Sequence, residues 1–115
     1  MNDSQYPWFI LVPQRDNIKE IYELSDKDQQ QLNKESSFLS KLLANEYKAD
    51  KMNVAALGNV VEQLHIHHIV RYKSDPSWPT PIWGKLPTVP YQNVEKTKNR
   101  ILSLMGTTLE FVAIE

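Results

Sequence analysis

The three histidines of this chain, His65, His67 and His68, fall within four residues of one another in the stretch NVVEQLHIHHIVRYK. Imidazole transfers protons near neutral pH, binds metal ions and can act as a nucleophile. Three interpretations are therefore open for this stretch: a metal site, a catalytic strand, or a core histidine with polar neighbours. The faces on which the side chains lie decide among them.

The apolar pattern around the histidines predicts a β-strand, in which successive side chains point to opposite faces of the sheet. Apart from His68, one face is apolar; it carries Leu64, Ile66, His68 and Val70. A lone polar residue on an apolar face is normally a packing residue with a hydrogen-bond partner. We therefore expect His68 to be partly buried against a helix.

The opposite face carries a polar row, Gln63, His65 and His67, at steps of two residues. Such steps separate Cα atoms by about 6.6 to 6.8 Å, so the side chains project together outside the sheet. Solvent exposure is one interpretation of this row. A His-x-His metal clip is a second, although it needs a further ligand that the sequence does not identify. A nucleophilic imidazole acting on phosphorus is the third.

Composition limits the classes of protein to which the chain can belong. At 115 residues and 13.4 kDa we expect one domain, residues 1–115. A net charge of -1 with scattered charges does not favour nucleic acid or a membrane surface as a partner. The absence of cysteine excludes disulfides and a thiol nucleophile. The longest apolar run, Trp8 to Val12, is too short to span a bilayer, so we expect a cytoplasmic protein.

The first half of the chain reads as a strand followed by a helix. The run WFILVP predicts a buried strand that Pro13 ends, and 18–24 predicts a short helical or irregular approach. Ser25 is a suitable N-cap for a helix that ends near 45–47, because acidic residues follow it in the first turn. The apolar stripe of this helix consists of Leu32, Phe38, Leu39, Leu42 and Leu43.

The second half predicts two antiparallel strands joined by a tight connection around Gly58 and Asn59. Residues 74–90 are rich in proline and tryptophan and predict an extended, semi-rigid arm. A second helix is predicted from Asn93 to a terminator at Gly106, followed by a closing strand, 107–115.

The stretch NVVEQLHIHHIVR resembles the signature strand of the histidine triad (HIT) superfamily of nucleotide hydrolases and transferases. That signature is three histidines alternating with apolar residues, preceded by a polar amide and a valine. Asn59 matches the amide and Val61 matches the valine. Gln63, His65 and His67 match the three histidines in order.

The resemblance extends along most of the chain. One family segment starts at a ribose-contacting residue, and it is similar to NDSQYPWFILVPQR, in which Asn2 is the matching residue. The later stretch DPSWPTPIWGK looks like the corresponding stretch of a bacterial HIT-like subgroup. The resemblance implies an α+β fold with an antiparallel β-sheet, a long helix after the first strand and a C-terminal helix. It also implies a homodimer. We expect the family's N-terminal helix and first strand to be missing from this chain.

The mechanism implied by the resemblance is attack by His65 on an α-phosphorus, which gives a nucleotidyl-histidine intermediate and requires no metal or other cofactor. The carbonyl of Gln63 would hold the second N–H of His65, while His67 would donate to a phosphate oxygen. Asn59 and Gln63 would supply uncharged hydrogen bonds to the same group. Two further residues, Trp78 and Trp83, would either cover the nucleotide base or pack the arm onto the body.

Two residues depart from the family pattern. Gln63 replaces the first histidine, and Trp8 stands where many members carry a further histidine. Both changes remove groups that could pass a proton to a departing amine, so we expect phosphoramidates to be poor substrates. They also leave open a nucleotide-binding protein without turnover, and the His-x-His metal-binding protein remains a third hypothesis.

Overall fold

A computed structural model describes residues 4–84 and 90–105 of the chain. Its centre is an antiparallel sheet of three strands, β1 (Trp8–Leu11), β2 (Lys51–Ala55) and β3 (Ile66–Arg71). β3 lies in the middle, between β1 and β2. The predicted α+β class, the antiparallel sheet and the strand before Pro13 are confirmed.

The long helix α1 (Asp26–Tyr47) follows a 3-10 turn at Ile21–Glu23. The hydroxyl oxygen of Ser25 accepts a hydrogen bond from the backbone N–H of Asp28, 3.1 Å away, and caps the helix as predicted. The helix packs on one face of the sheet. Ten buried apolar residues make the core there: Leu11, Leu24, Leu32, Leu39, Leu43, Leu64, Ile66, Val70, Ile101 and Met105.

The opposite face of the sheet is covered by the arm that follows β3 rather than by a helix. Tyr6, Trp8, Ile69 and Ile82 form a second buried cluster there, with Trp83 packed against it. His67 faces this cluster, because strand residues alternate and its neighbour His68 faces α1.

The connection between β2 and β3 differs from the prediction. The two strands pair antiparallel as expected, but a loop of ten residues, 56–65, joins them in place of a tight turn. Within this 56–65 loop the backbone N–H of Leu64 donates to the carbonyl of Ile18 at 2.8 Å, so the chain pairs with the segment before α1. Gln63 and His65 therefore precede β3. The alternation of side chains along a strand does not determine the direction in which the Gln63 side chain points.

The prediction of an extended arm is wrong for the part of 74–90 that the structure describes, which runs to Gly84 and resumes at Pro90. Successive turns replace it, with backbone N–H groups of Asp75, Trp78 and Thr80 donating to carbonyls three residues earlier. These turns form because the buried side chain of Asp75 accepts backbone hydrogen bonds at their start.

Helix α2 (Val94–Leu104) begins after Asn93, whose side chain accepts from the N–H of Lys96, and it buries Ile101 against the α1 side of the sheet. Its prediction is confirmed, while the predicted terminator Gly106 and closing strand 107–115 lie outside the described residues. No helix within 4–84 and 90–105 has the length and apolar character needed to cross a membrane.

Candidate active site

His65 is held in one tautomer by the backbone. Its Nδ1 lies 2.7 Å from the carbonyl oxygen of Gln63. A carbonyl can only accept, so Nδ1 carries the proton and the neutral ring keeps its lone pair on Nε2. This is the contact expected from the resemblance, and within the described residues Nε2 has no hydrogen-bond partner.

A cavity of about 240 Å³ opens beside His65. Gly58, Asn59 and Gln63 contribute to its wall together with His65. Gly58 passes so close to the histidine ring that a Cβ at this position would lie 2.9 Å from Cε1. The 56–65 loop therefore brings three of the predicted site residues, Asn59, Gln63 and His65, to one surface.

The same cavity carries an ion pair that sequence reasoning missed. Nζ of Lys19 lies 3.1 Å from Oε2 of Glu62, and both side chains are exposed. The hydrogen bond to Glu62 raises the pKa of Lys19, so its positive charge is secure near neutral pH. Local sequence patterns did not reveal Lys19, because long-range contacts, among them the hydrogen bond from Leu64 to Ile18, bring the 18–24 segment to the 56–65 loop.

The ring of His67 is fixed from both sides. Nε1–H of Trp8 donates to Nδ1 at 3.0 Å, and Nε2 lies 2.8 Å from the carbonyl oxygen of Leu57. His67 is 6% exposed and is not part of the cavity wall. Burial lowers the pKa of His67, and the adjacent His65 lowers it further, against the raising effect of the Leu57 hydrogen bond.

This geometry changes what His67 offers to a ligand. The family resemblance implied that its N–H would donate to a phosphate oxygen, but in this structure the carbonyl of Leu57 accepts the hydrogen bond from that N–H. A His-x-His metal clip would require the ring to leave Trp8 and Leu57. Among the residues that the structure describes, no group of three or more His, Cys, Asp or Glu side chains is arranged to hold a metal ion.

The Gln63 side chain is also engaged. Its amide nitrogen donates to the carbonyl oxygen of Arg15 at 3.0 Å, which ties the 56–65 loop to the segment after β1. Asn59 is exposed at the cavity, whereas Asn2, the predicted ribose contact, lies outside the described residues.

Neither predicted base-covering tryptophan lines the cavity. Trp83 packs edge-on against Trp8 and His67, with ring centroids 5.8 and 5.2 Å away. Trp78 lies over the guanidinium of Arg71, whose Cζ is 5.6 Å from the ring centroid. The structure thus favours the packing alternative for both residues.

Arg71 anchors the arm and was not singled out from the sequence. Its guanidinium makes a two-point salt bridge to Asp75, at 2.8 and 3.1 Å, with side chains 1% and 2% exposed. It also donates to the side chain of Asn53 at 2.8 Å and to the carbonyl of Thr80 at 2.9 Å. The spacing of Arg71 and Asp75, four residues apart, was the available signal.

His68 has the structural role predicted for it. The ring is fully buried on the α1 face. Nδ1 lies 3.1 Å from the carbonyl of Ile66, and Nε2 lies 2.8 Å from the hydroxyl of Ser36 on α1. The carbonyl fixes the proton on Nδ1, so the Ser36 hydroxyl donates to Nε2. Burial lowers the pKa of His68.

Comparison with known proteins identifies the family. A family model for the HIT domain matches residues 1–74. A search among curated proteins found no match. Three histidine triad proteins of known structure are similar along nearly the whole chain.

The first, from Sinorhizobium meliloti 1021, is 43% identical with a TM-score of 0.84, and the match covers 91% of this chain and 77% of that one. The second, from Marinobacter aquaeolei VT8, is 53% identical with a TM-score of 0.82, over 92% and 76%. The third, from Bradyrhizobium japonicum, is 41% identical with a TM-score of 0.83, over 90% and 77%. The chain belongs to the HIT family.

Proposed function

We propose that this HIT protein is a nucleotide hydrolase or nucleotidyl transferase that reacts at the α-phosphate through His65. Nε2 attacks the phosphorus, and the bond from phosphorus to the leaving group breaks with its electron pair on the leaving atom. Water or another acceptor then attacks the nucleotidyl-histidine. The P–N bond breaks, its electron pair returns to Nε2, and the acceptor releases a proton.

The observation that carries this proposal is the fixed tautomer of His65. A nucleophilic histidine needs an unprotonated nitrogen aimed at the substrate and a proton held on the other nitrogen. The Gln63 carbonyl at 2.7 Å supplies the second condition, and the cavity beside the ring supplies space for a phosphoryl group. Bound in this way, the ring does not need to change tautomer before attack.

The cavity wall also offers groups that suit a phosphate. The amides of Asn59 and Gln63 provide uncharged donors, and Lys19 provides one positive charge. Preorganised donors of this kind stabilise charge that develops during phosphoryl transfer. Glu62 pairs with Lys19 in this structure, so we propose that an incoming phosphate competes with this carboxylate for the ammonium group.

Trapping of the intermediate tests the proposal. The protein would be mixed with a dinucleoside polyphosphate labelled at the α-phosphate, quenched in alkali and mapped by mass spectrometry. We expect label on His65 and none in His65→Ala. His68→Gln is the control: it changes a histidine with a similar carbonyl contact on the far face, so labelling should persist.

The same experiment separates the alternative of a binding protein without turnover. In that case nucleotide binds, measured by calorimetry with AMP, but no label is transferred and His65→Ala changes affinity only. Two observations favour the binding protein as a second candidate. The side-chain amide of Gln63 already donates to Arg15, and the ring of His67 already donates to Leu57, so both groups are bound to the protein itself.

We also propose a homodimer in the cytoplasm, as the family resemblance implies. Light scattering coupled to size exclusion tests the first part: the expected mass is twice the chain mass of 13.4 kDa. A single-chain mass at micromolar concentration would contradict it.

A further inference from the structure

The hydrogen-bond pattern around His67 permits one protonation state. An indole N–H can only donate, so Nδ1 of His67 must accept from Trp8. The proton of the neutral ring therefore lies on Nε2 and points to the carbonyl of Leu57. An imidazolium would place an N–H against the N–H of Trp8, which makes the charged form unfavourable in this site.

The sheet register explains why Trp8 can reach this nitrogen. Trp8 pairs directly with Ile69 across β1 and β3, which makes His67 its diagonal neighbour on the same face. Diagonal neighbours are about 7 to 8 Å apart at Cα, a separation that aromatic side chains can bridge. Trp83 closes the other side of the two rings by edge-on contacts.

The effect of this bond reaches His65 through the 56–65 loop. His67 holds the carbonyl of Leu57, and the next residue, Gly58, lies against the ring of His65. The ring of His67 also meets the ring of His65 edge-on, with centroids 4.9 Å apart. His65 is thus held between the loop that His67 fixes and the ring of His67 itself.

We propose that Trp8 is a positioning residue: by fixing the Nε2–H tautomer of His67 it holds the 56–65 loop at Leu57 and thereby aims His65 at the cavity. In this assignment His67 supports the reacting histidine and does not donate a proton to the substrate. The inference rests on the proposed function for its effect on turnover, whereas its tautomer assignment stands without it.

The first test uses the unsubstituted protein and needs no substrate. The nitrogen chemical shifts of its histidine rings should show His67 as a neutral Nε2–H tautomer at pH 7, with one ring nitrogen of each type. A charged His67, or a ring protonated on Nδ1, overturns the proposal.

The second test removes the donor. Trp8→Phe removes the N–H and leaves a smaller aromatic ring, whereas a variant with the benzothiophene analogue of tryptophan at position 8 loses the N–H and keeps a ring of the same size. We expect His67 to populate both tautomers and turnover to fall about tenfold to a hundredfold, as displacement of a reacting group does. The benzothiophene variant keeps the shape of tryptophan, so it reports on the hydrogen bond even where Trp8→Phe is poorly folded.

Tyr6→Phe is the matched control, because it removes a hydroxyl from the same buried cluster, where it bonds Ser77, without touching His67. It should keep the Nε2–H tautomer and the turnover of the unsubstituted protein. An unchanged His67 tautomer in the benzothiophene variant, or full turnover with a mixed tautomer, overturns the proposal. Loss of label transfer in every protein, with the tautomer results as expected, would instead count against the proposed function alone.

Discussion

Gly58 leaves no room for a side chain beside His65: a methyl group at position 58 would lie 2.9 Å from Cε1 of the histidine ring and 2.8 Å from the carbonyl oxygen of Val61. Both separations are shorter than real Cβ contacts allow. The backbone of the loop thus forms one wall of the space in which His65 sits, and only glycine leaves that ring in its position.

Gly58→Ala should therefore displace His65 or the loop. We expect the rate of nucleotide hydrolysis to fall by about a hundredfold, because misplacing a reacting group by about 1 Å has effects of that size. Steady-state kinetics with a dinucleoside polyphosphate would measure it. Gly84→Ala is the control: Gly84 has a φ of 70° and a methyl group added there would meet nothing within 4 Å, so the change should cost stability and leave turnover unchanged.

Arg71→Met tests the anchor of the arm. Removing one partner of a buried ion pair leaves an uncompensated charge, and we expect a loss of about 3 to 5 kcal/mol in the free energy of unfolding. Burial alone would raise the pKa of Asp75, but the hydrogen bond from Arg71 and the N–H of Tyr72 hold it below its ordinary value. Urea unfolding measures the loss.

The control for this variant is Arg15→Met. Arg15 makes a similar two-point contact with Asp28, but at the surface, where such pairs contribute little. Its effect on stability should be much smaller than that of Arg71→Met. Equal losses in the two variants would show that burial does not distinguish the pairs.

The stability of the protein should decrease as the pH falls from about 7 to about 5. Burial lowers the pKa values of His67 and His68 in the folded chain, whereas the unfolded chain titrates near 6.5. Below that value the unfolded state binds protons that the folded state does not, so stability is complete above it and is lost as the pH falls toward the lowered folded values. Chemical unfolding at several pH values measures the slope.

His68→Gln should be less stable overall but should show a shallower slope over the same pH range. The carboxyls of Asp28 and Asp75 do not account for this slope, since the pKa of each is held below its ordinary value, with hydrogen bonds from Arg15 and Arg71 among the lowering contacts. A profile that is flat between about pH 7 and pH 5 would contradict the assignment of two buried neutral histidines.

Leaving-group preference follows from Trp8 and Gln63. The indole N–H is committed to His67 and the Gln63 amide carries no dissociable proton, so neither can protonate a departing amine. General acid catalysis is typically worth about 10² to 10⁴-fold, and we expect an adenosine phosphoramidate to react more slowly than a dinucleoside polyphosphate by a factor in that range. Faster turnover of the phosphoramidate would contradict this account.

Local sequence patterns predicted the regular elements well. The cap at Ser25 and the apolar stripe of α1 depend on contacts within a few residues, and both are present. Strand alternation correctly assigned His68 to the helix face and His67 to the other face, because both residues lie within β3. The His65 contact with Gln63 came from the family resemblance rather than from any periodicity.

The path of the chain between elements was not predictable in the same way. The tight turn at Gly58 and Asn59 was wrong because the bond from Leu64 to Ile18 joins residues 46 positions apart, which no local pattern reports. The bends in the arm depend likewise on Arg71 being buried. As a result, Lys19 lines the cavity although the sequence did not predict it, and His67 does not line the cavity although it was predicted to contact the ligand.

The position of a bound phosphate tests the central claim most directly. A crystal structure with AMP should place the phosphorus within about 3 to 3.5 Å of Nε2 of His65, the separation expected before attack. The Gln63 carbonyl should still accept from Nδ1 in that complex. A phosphate bound away from the 56–65 loop, or a His65 ring turned so that Nδ1 faces the phosphorus, would contradict the claim that this nitrogen is the nucleophile.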